Sequence, residues 1–514
     1  EISLGRWPDG ADNFDQLVAP TLGGPNEGPL DRDVIISEIM YNPSSFNPLE
    51  EYIELYNREA MPVNTSGWRL RGGVEFTIPN APQAVIPPGG YLVVAADPAT
   101  FAAKYPAVTE FVGGWTGQLS NRGDAIELVN ARGDTIDRVE YFDEGDWATR
   151  APGPLDHGHY GWIWTTAADG GGSSLELINL AVSNNYGQNW KASTTTQGTP
   201  GAANSVAAAD IAPLVLDVTH FPIIPHSDEP VTVTARMFDE LPTGVLAALY
   251  YRVDSATPGP FSVLPMADDG LSGDGDAGDG VYGAVLPAQP NGTVVEFFVA
   301  AADGGGQTRY WPAPYPAIQQ PGLVNPYTVP LELPYLLYQV NDAFDASAAW
   351  APGSAPRYYM IMTARERAEL ADIGDSTDGE EDTNAQMNGT FISVDGTGIE
   401  LRYKVGILNR GHGSRSVPPI NYLVEIPSDA PWHGINAYNF NCRTTYAQIV
   451  GSAIFRMAGL AAAEAAPVKL FVNGADMAAY SNMYGMYVGL ESFNSQFAAN
   501  HFPLDPNGNL YSAF

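Results

Sequence analysis

The chain holds one cysteine, Cys442, and four lysines (Lys104, Lys191, Lys404, Lys469) in 514 residues. A lone cysteine excludes an intrachain disulfide framework and a cysteine-based zinc site. In Phe440-Asn-Cys-Arg443 it reads as buried filler. Basic residues are scarce against acids, 24 to 59, for a formal net charge of −35. Nucleic-acid binding needs clustered Lys and Arg and is excluded; an anionic membrane surface repels the chain for the same reason. No window of about 20 residues is free of both charge and proline, so no membrane span is visible. The most apolar stretch, 447–472, is broken by Arg456, Glu464 and Pro467. There is no Gly-x-Ser-x-Gly elbow and no Walker-type phosphate loop. What is plentiful is apolar residues (45%), Gly (54) and Pro (42), the composition of several turn-rich β domains with real cores. The chain starts at Glu1 without a signal peptide and reads as a processed or partial chain. Strong acidity with scarce Cys and Lys fits a secreted or cell-surface bacterial protein.

Residues 33–141 alternate with period two. Val34–Met40, Glu51–Tyr56, Tyr91–Ala95, Ala125–Val129 and Thr135–Tyr141 read as strands, separated by turn signals such as Pro87-Pro-Gly-Gly90 and Ala131-Arg-Gly-Asp134. This is the pattern of an antiparallel sandwich. The ordered motifs Ile36-Ser-Glu-Ile-Met-Tyr-Asn-Pro43, Glu51-Tyr-Ile-Glu-Leu-Tyr-Asn57, Ser66-Gly-Trp68, Ile86-Pro-Pro-Gly-Gly-Tyr-Leu-Val93 and Leu119-Ser-Asn-Arg-Gly-Asp124 resemble a lamin-tail domain. Its close falls on Ser174-Leu-Glu176, Trp190 and Gly198-Thr-Pro-Gly-Ala-Ala-Asn204. The resemblance implies an Ig-like sandwich over 30–205, an accessory module without catalysis. Residues 1–27 echo that close: Ser3-Leu4, Trp7, Phe14 and Thr21-Leu-Gly-Gly-Pro-Asn26 resemble the terminal strand and tail of a preceding lamin-tail-like domain. A terminal strand with unpaired backbone seeks an open sheet edge, so it is a candidate for self-assembly with a neighbouring subunit.

A second sandwich reads over 210–330, with strands at Pro230–Ala235, Ala247–Val253 and Val294–Ala301, and resembles the Ig-like or fibronectin-type modules of secreted bacterial proteins. It carries Asp268, Asp269, Asp274, Asp276 and Asp279 within twelve glycine-rich residues. Converging carboxylates repel, and a hard cation taking six to eight oxygens reverses that sign, so this loop is the candidate Ca2+ site. The spacing is not that of an EF-hand. Asp156-His157-Gly-His159 and the acidic run 372–382 read as surface loops.

From about 335 the texture changes to α+β. Ala364–Ala371 and Tyr446–Gly459 read as helices among strands at 389–394, 400–405, 421–426 and 468–472. Leu401-Arg-Tyr403, Asn409-Arg-Gly-His-Gly-Ser-Arg415, Tyr438-Asn-Phe-Asn441, Ile454-Phe-Arg-Met-Ala-Gly459, Tyr484-Gly-Met-Tyr487 and Glu491 resemble the CotH family of atypical kinases. That resemblance implies a kinase-like fold over 335–514 with Mg-ATP as ligand. Arg410, Arg415 and Lys404 are its candidates for the nucleotide phosphates, and Glu491 is the weak catalytic candidate. Pro418-Pro-Ile420 stands where the family shows Pro-Lys, and the family's catalytic and metal-binding aspartates come after the segment where this sequence stops, so the module reads as an incomplete one.

The fold class expected is therefore multidomain and mainly β: two Ig-like antiparallel sandwiches followed by an α+β kinase-like module. Two functions stay open. One is a calcium-stabilised structural or adhesive surface or filament protein. The other is a secreted atypical protein kinase using Mg-ATP.

Overall fold

The computed structural model describes residues 3–6, 14–17, 21–24, 26, 33–241, 244–315, 333–345, 353–375, 383–411, 419–477 and 486–503. Arg415 and most of the acidic run 372–382 lie outside them. The chain divides into two compact units. One is Glu1–Thr149 with Trp164–Leu214 and Asp239–Leu241; the other is Arg150–Ile163 with Val215–Phe238 and Pro242–Phe514.

In the first unit, β1 (Ser3–Arg6) and β2 (Phe14–Leu17) form an antiparallel pair. The sandwich follows with β3 (Val34–Met40), β4 (Tyr52–Asn57), β5 (Arg69–Gly72), β6 (Val74–Thr77), β7 (Tyr91–Ala95), α1 (Pro98–Lys104), β8 (Phe111–Gly113), β9 (Thr116–Gly117), β10 (Gly123–Val129) and β11 (Thr135–Phe142). A hairpin whose body belongs to the second unit, β12 (Thr149–Asp156) and β13 (His159–Thr165), then intervenes before β14 (Leu175–Leu177) and β15 (Trp190–Ala192). One sheet runs β8-β7-β4-β3-β14-β15, the other β9-β6-β5-β10-β11. Ile39, Ile53, Leu55, Leu70, Ile126, Leu128 and Val139 fill the space between them. The first sheet is covered on its other face as well, because Met40, Tyr52, Val93 and Ala95 lie against Phe101 of α1. Asp97 starts that helix by accepting the Thr100 N–H at 2.7 Å, and Pro98 follows at its first position.

The second unit opens on another sandwich. Its strands are β16 (Leu214–Phe221), β17 (Val231–Phe238), β18 (Leu246–Val253), β19 (Ser262–Met266), β20 (Val281–Leu286), β21 (Val294–Ala302), β22 (Thr308–Trp311) and β23 (Leu336–Gln339). The sheets are β16-β17-β20 and β19-β18-β21-β22, with β23 also on β21. Burial alternates strictly along β17, as its period-two sequence predicts.

The rest comprises β24 (Arg357–Ile361), α2 (Ala364–Asp375), β25 (Met387–Asp395), β26 (Gly398–Arg410), β27 (Asn421–Glu425), β28 (Ala437–Asn441), α3 (Thr445–Met457), β29 (Ala465–Val472), β30 (Ala475–Asp476), β31 (Tyr487–Glu491) and α4 (Ser495–His501). Pairing runs β24-β25-β26-β27-β28-β31-β29, and β29 returns in parallel to β24. Seven strands thus close into a ring, which removes the sheet edges that an open sheet leaves unpaired. Met360, Phe391, Val405, Ile407, Val424, Phe440, Leu470 and Tyr487 fill it. Strand pairing therefore organises the region expected to be an α+β kinase-like module.

Candidate functional site

The most unusual chemistry lies on the outer face of the first sheet. Glu38 on β3 stands in register with Glu54 on β4 and with Glu176 on β14. Three carboxyls therefore sit side by side on adjacent strands, and all three are fully buried. Directly opposed like charges destabilise a sheet, and burial of an ion without compensation is costlier still. Two devices offset this.

The first is hydrogen bonding from the segment that follows β15. The Thr199 N–H donates to Glu38 Oε1 at 2.8 Å, and the Thr199 hydroxyl to Glu176 Oε1 at 2.7 Å. The Gly201 N–H donates to Glu54 Oε2 at 2.7 Å. Ser205 Oγ and the Val206 N–H donate to Glu176 Oε2 at 2.7 and 3.1 Å. Tyr52 and Ser174 donate to Glu38 Oε1, and Ser37 to Glu54 Oε1. Asn204 ties the segment to the backbone, its amide donating to the Ser37 and Leu177 carbonyls. Gly198 is required here: φ is +81°, and a Cβ would meet Tyr52 Oη at 2.1 Å and Glu38 Oε1 at 2.2 Å.

The second is protonation. Burial pushes the Glu38 carboxyl up to about 7 against its donors. Burial, with the neighbouring Glu38 adding to it, raises Glu54 well above the ordinary carboxylate range. Glu38 Oε2 is buried with no hydrogen-bond partner among the described residues, as suits a carboxyl that keeps its proton. The row acts as a clasp: three acids gather the donors of one passing segment and fix it across the sheet.

Residues 29–143 match the family model of the Lamin Tail Domain. The first sandwich is a lamin-tail domain. Its sequence motifs are explained by the clasp, since Ser37-Glu38, Glu51-Tyr-Ile-Glu54, Ser174-Leu-Glu176 and Gly198-Thr-Pro-Gly-Ala-Ala-Asn204 supply both its acids and its donors. Residues 229–308 match the model of the Conditioned medium factor 2nd Ig-like domain, which places an Ig-like domain in the second unit. No curated protein matches the chain. Two turns share a geometry: Gly24 N–H donates to the Thr21 carbonyl at 2.9 Å, as Ala202 N–H does to Thr199 at 3.0 Å, and Gly23 and Gly201 share a left-handed φ.

Of the five aspartates expected to hold calcium, Asp268, Asp269, Asp274 and Asp279 accept backbone N–H groups. Asp274 is buried and accepts the N–H groups of Asp269, Gly270 and Ser272 at 2.7–2.9 Å. Burial alone would raise its carboxyl; these bonds outweigh that and hold it below the usual range. Asp268 accepts from Gly278 and Gly280, Asp269 from Leu271 and Ser272, and Asp279 from Val281. Among the described residues no three His, Cys, Asp or Glu side chains gather closely enough to hold a metal ion. As folded, the donor set suits a self-capped loop better than an oxygen cage. Asp274→Ala is therefore expected to cost the second unit about 1–3 kcal/mol in urea unfolding. Adding calcium is expected to leave the transition in place; a calcium-dependent rise that Asp274→Ala abolishes would show instead that the loop holds the ion.

The kinase-type candidates have separate partners. Lys404 sits at a bulge in β26, with Nζ 4.4 Å above the Trp311 ring. Arg410, at the far end of β26, donates to Asn441 Oδ1 at 2.9 Å. Glu491 ends β31, separated from β26 by two intervening strands of the ring, and is buried against His501 Nε2 at 2.7 Å and Asn500 Nδ2 at 3.2 Å. Asp156 and His157 form an exposed pair at 2.8 Å beside a turn, while His159 is buried against Glu369 at 2.8 Å. Cys442 is buried, and burial pushes its thiol up, as suits filler.

Proposed function

We propose that this chain is an extracellular structural or adhesive protein of a cell surface or filament, a string of β modules in which the lamin-tail and Ig-like domains bear the load. The observation that carries this reading is the clasp: Glu38, Glu54 and Glu176 of the lamin-tail domain are fully buried and gather the donors of 197–206 across three strands. The repeated turn at 21–24 supports reading residues 1–27 as the closing strand and tail of a preceding lamin-tail-like domain, with β1 offering an edge for self-assembly. Acidity with scarce Cys and Lys supports secretion from a bacterium.

The test is paired. Electron microscopy and surface-binding assays of the purified chain are expected to show ordered polymers or retention on a surface. Incubation with labelled ATP and magnesium is expected to transfer no phosphate. Transfer that is lost in Glu491→Gln or Arg410→Ala would reject the structural reading in favour of a secreted atypical kinase.

A further inference from the structure

Helix α3 is apolar on the wrong side for a finished surface. One face packs on β29 and β31. On the other, Tyr446, Val450, Ile454 and Met457 follow one another at spacings of four, four and three, with Phe455 and Leu460 beside them. These six are 55–88% exposed. Such spacing makes a continuous stripe along a helix. At those exposures the six side chains present roughly 700 Å² of apolar surface, more than isolated monomers usually leave in one patch.

We infer that this stripe is a two-fold interface between copies of the chain, with α3 packed against α3 of a second copy. The area argues for it, since a standard interface takes about 800 Å² from each partner. Charge argues for it too. The helix contains no acid, and its one charged residue, Arg456, is paired with Glu464 at 3.3 Å. A basic partner finds no acid on the helix to attract it. The surface complementary to a neutral apolar stripe is another of the same kind, which is what an isologous contact provides. Ala447 and Gly451 lie along the stripe, and a Cβ at Gly451 would meet nothing within 4 Å, so two helices have room to approach closely. This inference does not depend on the lamin-tail clasp or on the N-terminal strand.

Sedimentation equilibrium of the full chain is the test. The 54.9 kDa chain is expected to reach about twice that mass at tens of micromolar. Because two strongly acidic bodies repel, the dimer is expected to tighten as salt rises from about 0.1 to 0.5 M, the reverse of an interface held by ion pairs. Ile454→Glu and Val450→Glu are expected to weaken association at least tenfold while leaving circular dichroism and the melting transition unchanged, because both side chains face outward. Deleting residues 1–27 is expected to leave the dimer intact. A wild-type chain that stays monomeric in high salt, a dimer indifferent to Ile454→Glu, or a dimer lost with residues 1–27 would each overturn the inference.

Discussion

Raising the pH from about 4.5 to 7 is expected to cost the lamin-tail unit about 3 kcal/mol through Glu38 alone. Burial holds the Glu38 carboxyl up at about 7 in the folded chain, against the ordinary glutamate value of 4.5. Across that interval the folded state keeps a proton that the unfolded state releases, so stability falls as pH rises, by about 1.4 kcal/mol per pH unit for each such carboxyl. Below pH 4.5 both states are protonated and the curve is flat. Glu38's share is complete near pH 7, and Glu54, which burial and the neighbouring Glu38 hold well above the ordinary carboxylate range, adds a loss of the same sign. Glu51, which burial pushes up to about 8, adds to it with the same sign. The groups around the row do not reverse this. Tyr52, Tyr91 and Tyr105 are neutral over the range, burial holding each hydroxyl above its ordinary value. Lys191, opposite Glu176 on β15, is exposed. Hydrogen exchange reads the clasp directly, because the amides of Thr199, Gly201 and Val206 are its donors. Their protection, corrected for intrinsic exchange, is expected to fall between pH 5 and 8. Glu54→Gln keeps the shape and removes the charge, and is expected to flatten that fall while gaining stability at pH 8. Protection that stays constant over the range, or that Glu54→Gln leaves unchanged, contradicts the account.

Much of this architecture is legible in the sequence. The alternation at 34–40, 91–95 and 135–141 marks strands that the structure places within a residue, and Tyr446–Gly459 marks α3. The clasp is not legible from alternation. A period-two strand reads as one face in and one face out, and Glu38 and Glu54 belong to the outward set; their burial depends on α1 and residues 197–206 lying over that face. The available signal was the coincidence of Ser-Glu and Glu-x-x-Glu on neighbouring strands with a Gly-Thr-Pro-Gly segment far along the chain. The aspartate loop shows a related limit. Its glycines say that the backbone curls, but whether the carboxylates then meet an ion or the N–H groups of the curl depends on the three-dimensional path. Ring closure is hidden for another reason, since β24 and β29 pair in parallel across more than a hundred residues. The hairpin of β12 and β13 escapes because Pro152 and Pro154 break its pattern, although proline is tolerated where a strand is not central to a sheet.

That hairpin sets the second large effect. Trp162→Ala is expected to cost the second unit about 3–5 kcal/mol, in the range of buried aromatic truncations. His157 and Gly158 turn the hairpin with φ of +49° and +94°, the left-handed pair of a tight two-residue connection. This brings β13 against the segment before β25. The Trp162 N–H donates to the Gln386 carbonyl at 2.8 Å, and its indole Nε1–H to Glu366 Oε1 at 2.9 Å. The ring is buried and meets Tyr315 edge-on at 5.8 Å. Glu366 is buried too, and burial raises its carboxyl; losing the indole removes one of its donors, beside the Asn388 N–H at 3.1 Å. The loss therefore combines a cavity with an under-satisfied acid. Trp162→Phe keeps most of the packing and is expected to cost clearly less. Gly161→Ala tests the same contact from the backbone, since a Cβ there would lie 2.3 Å from the Gln386 nitrogen and 2.7 Å from the Ala385 Cα, atoms that cannot swing aside. The neighbouring Tyr160 is exposed, and Tyr160→Ala is expected to stay within about 0.5 kcal/mol. Urea unfolding of the four variants separates the cases: if Trp162→Ala and Gly161→Ala also fall within about 1 kcal/mol of the wild type, the hairpin does not stabilise the second unit.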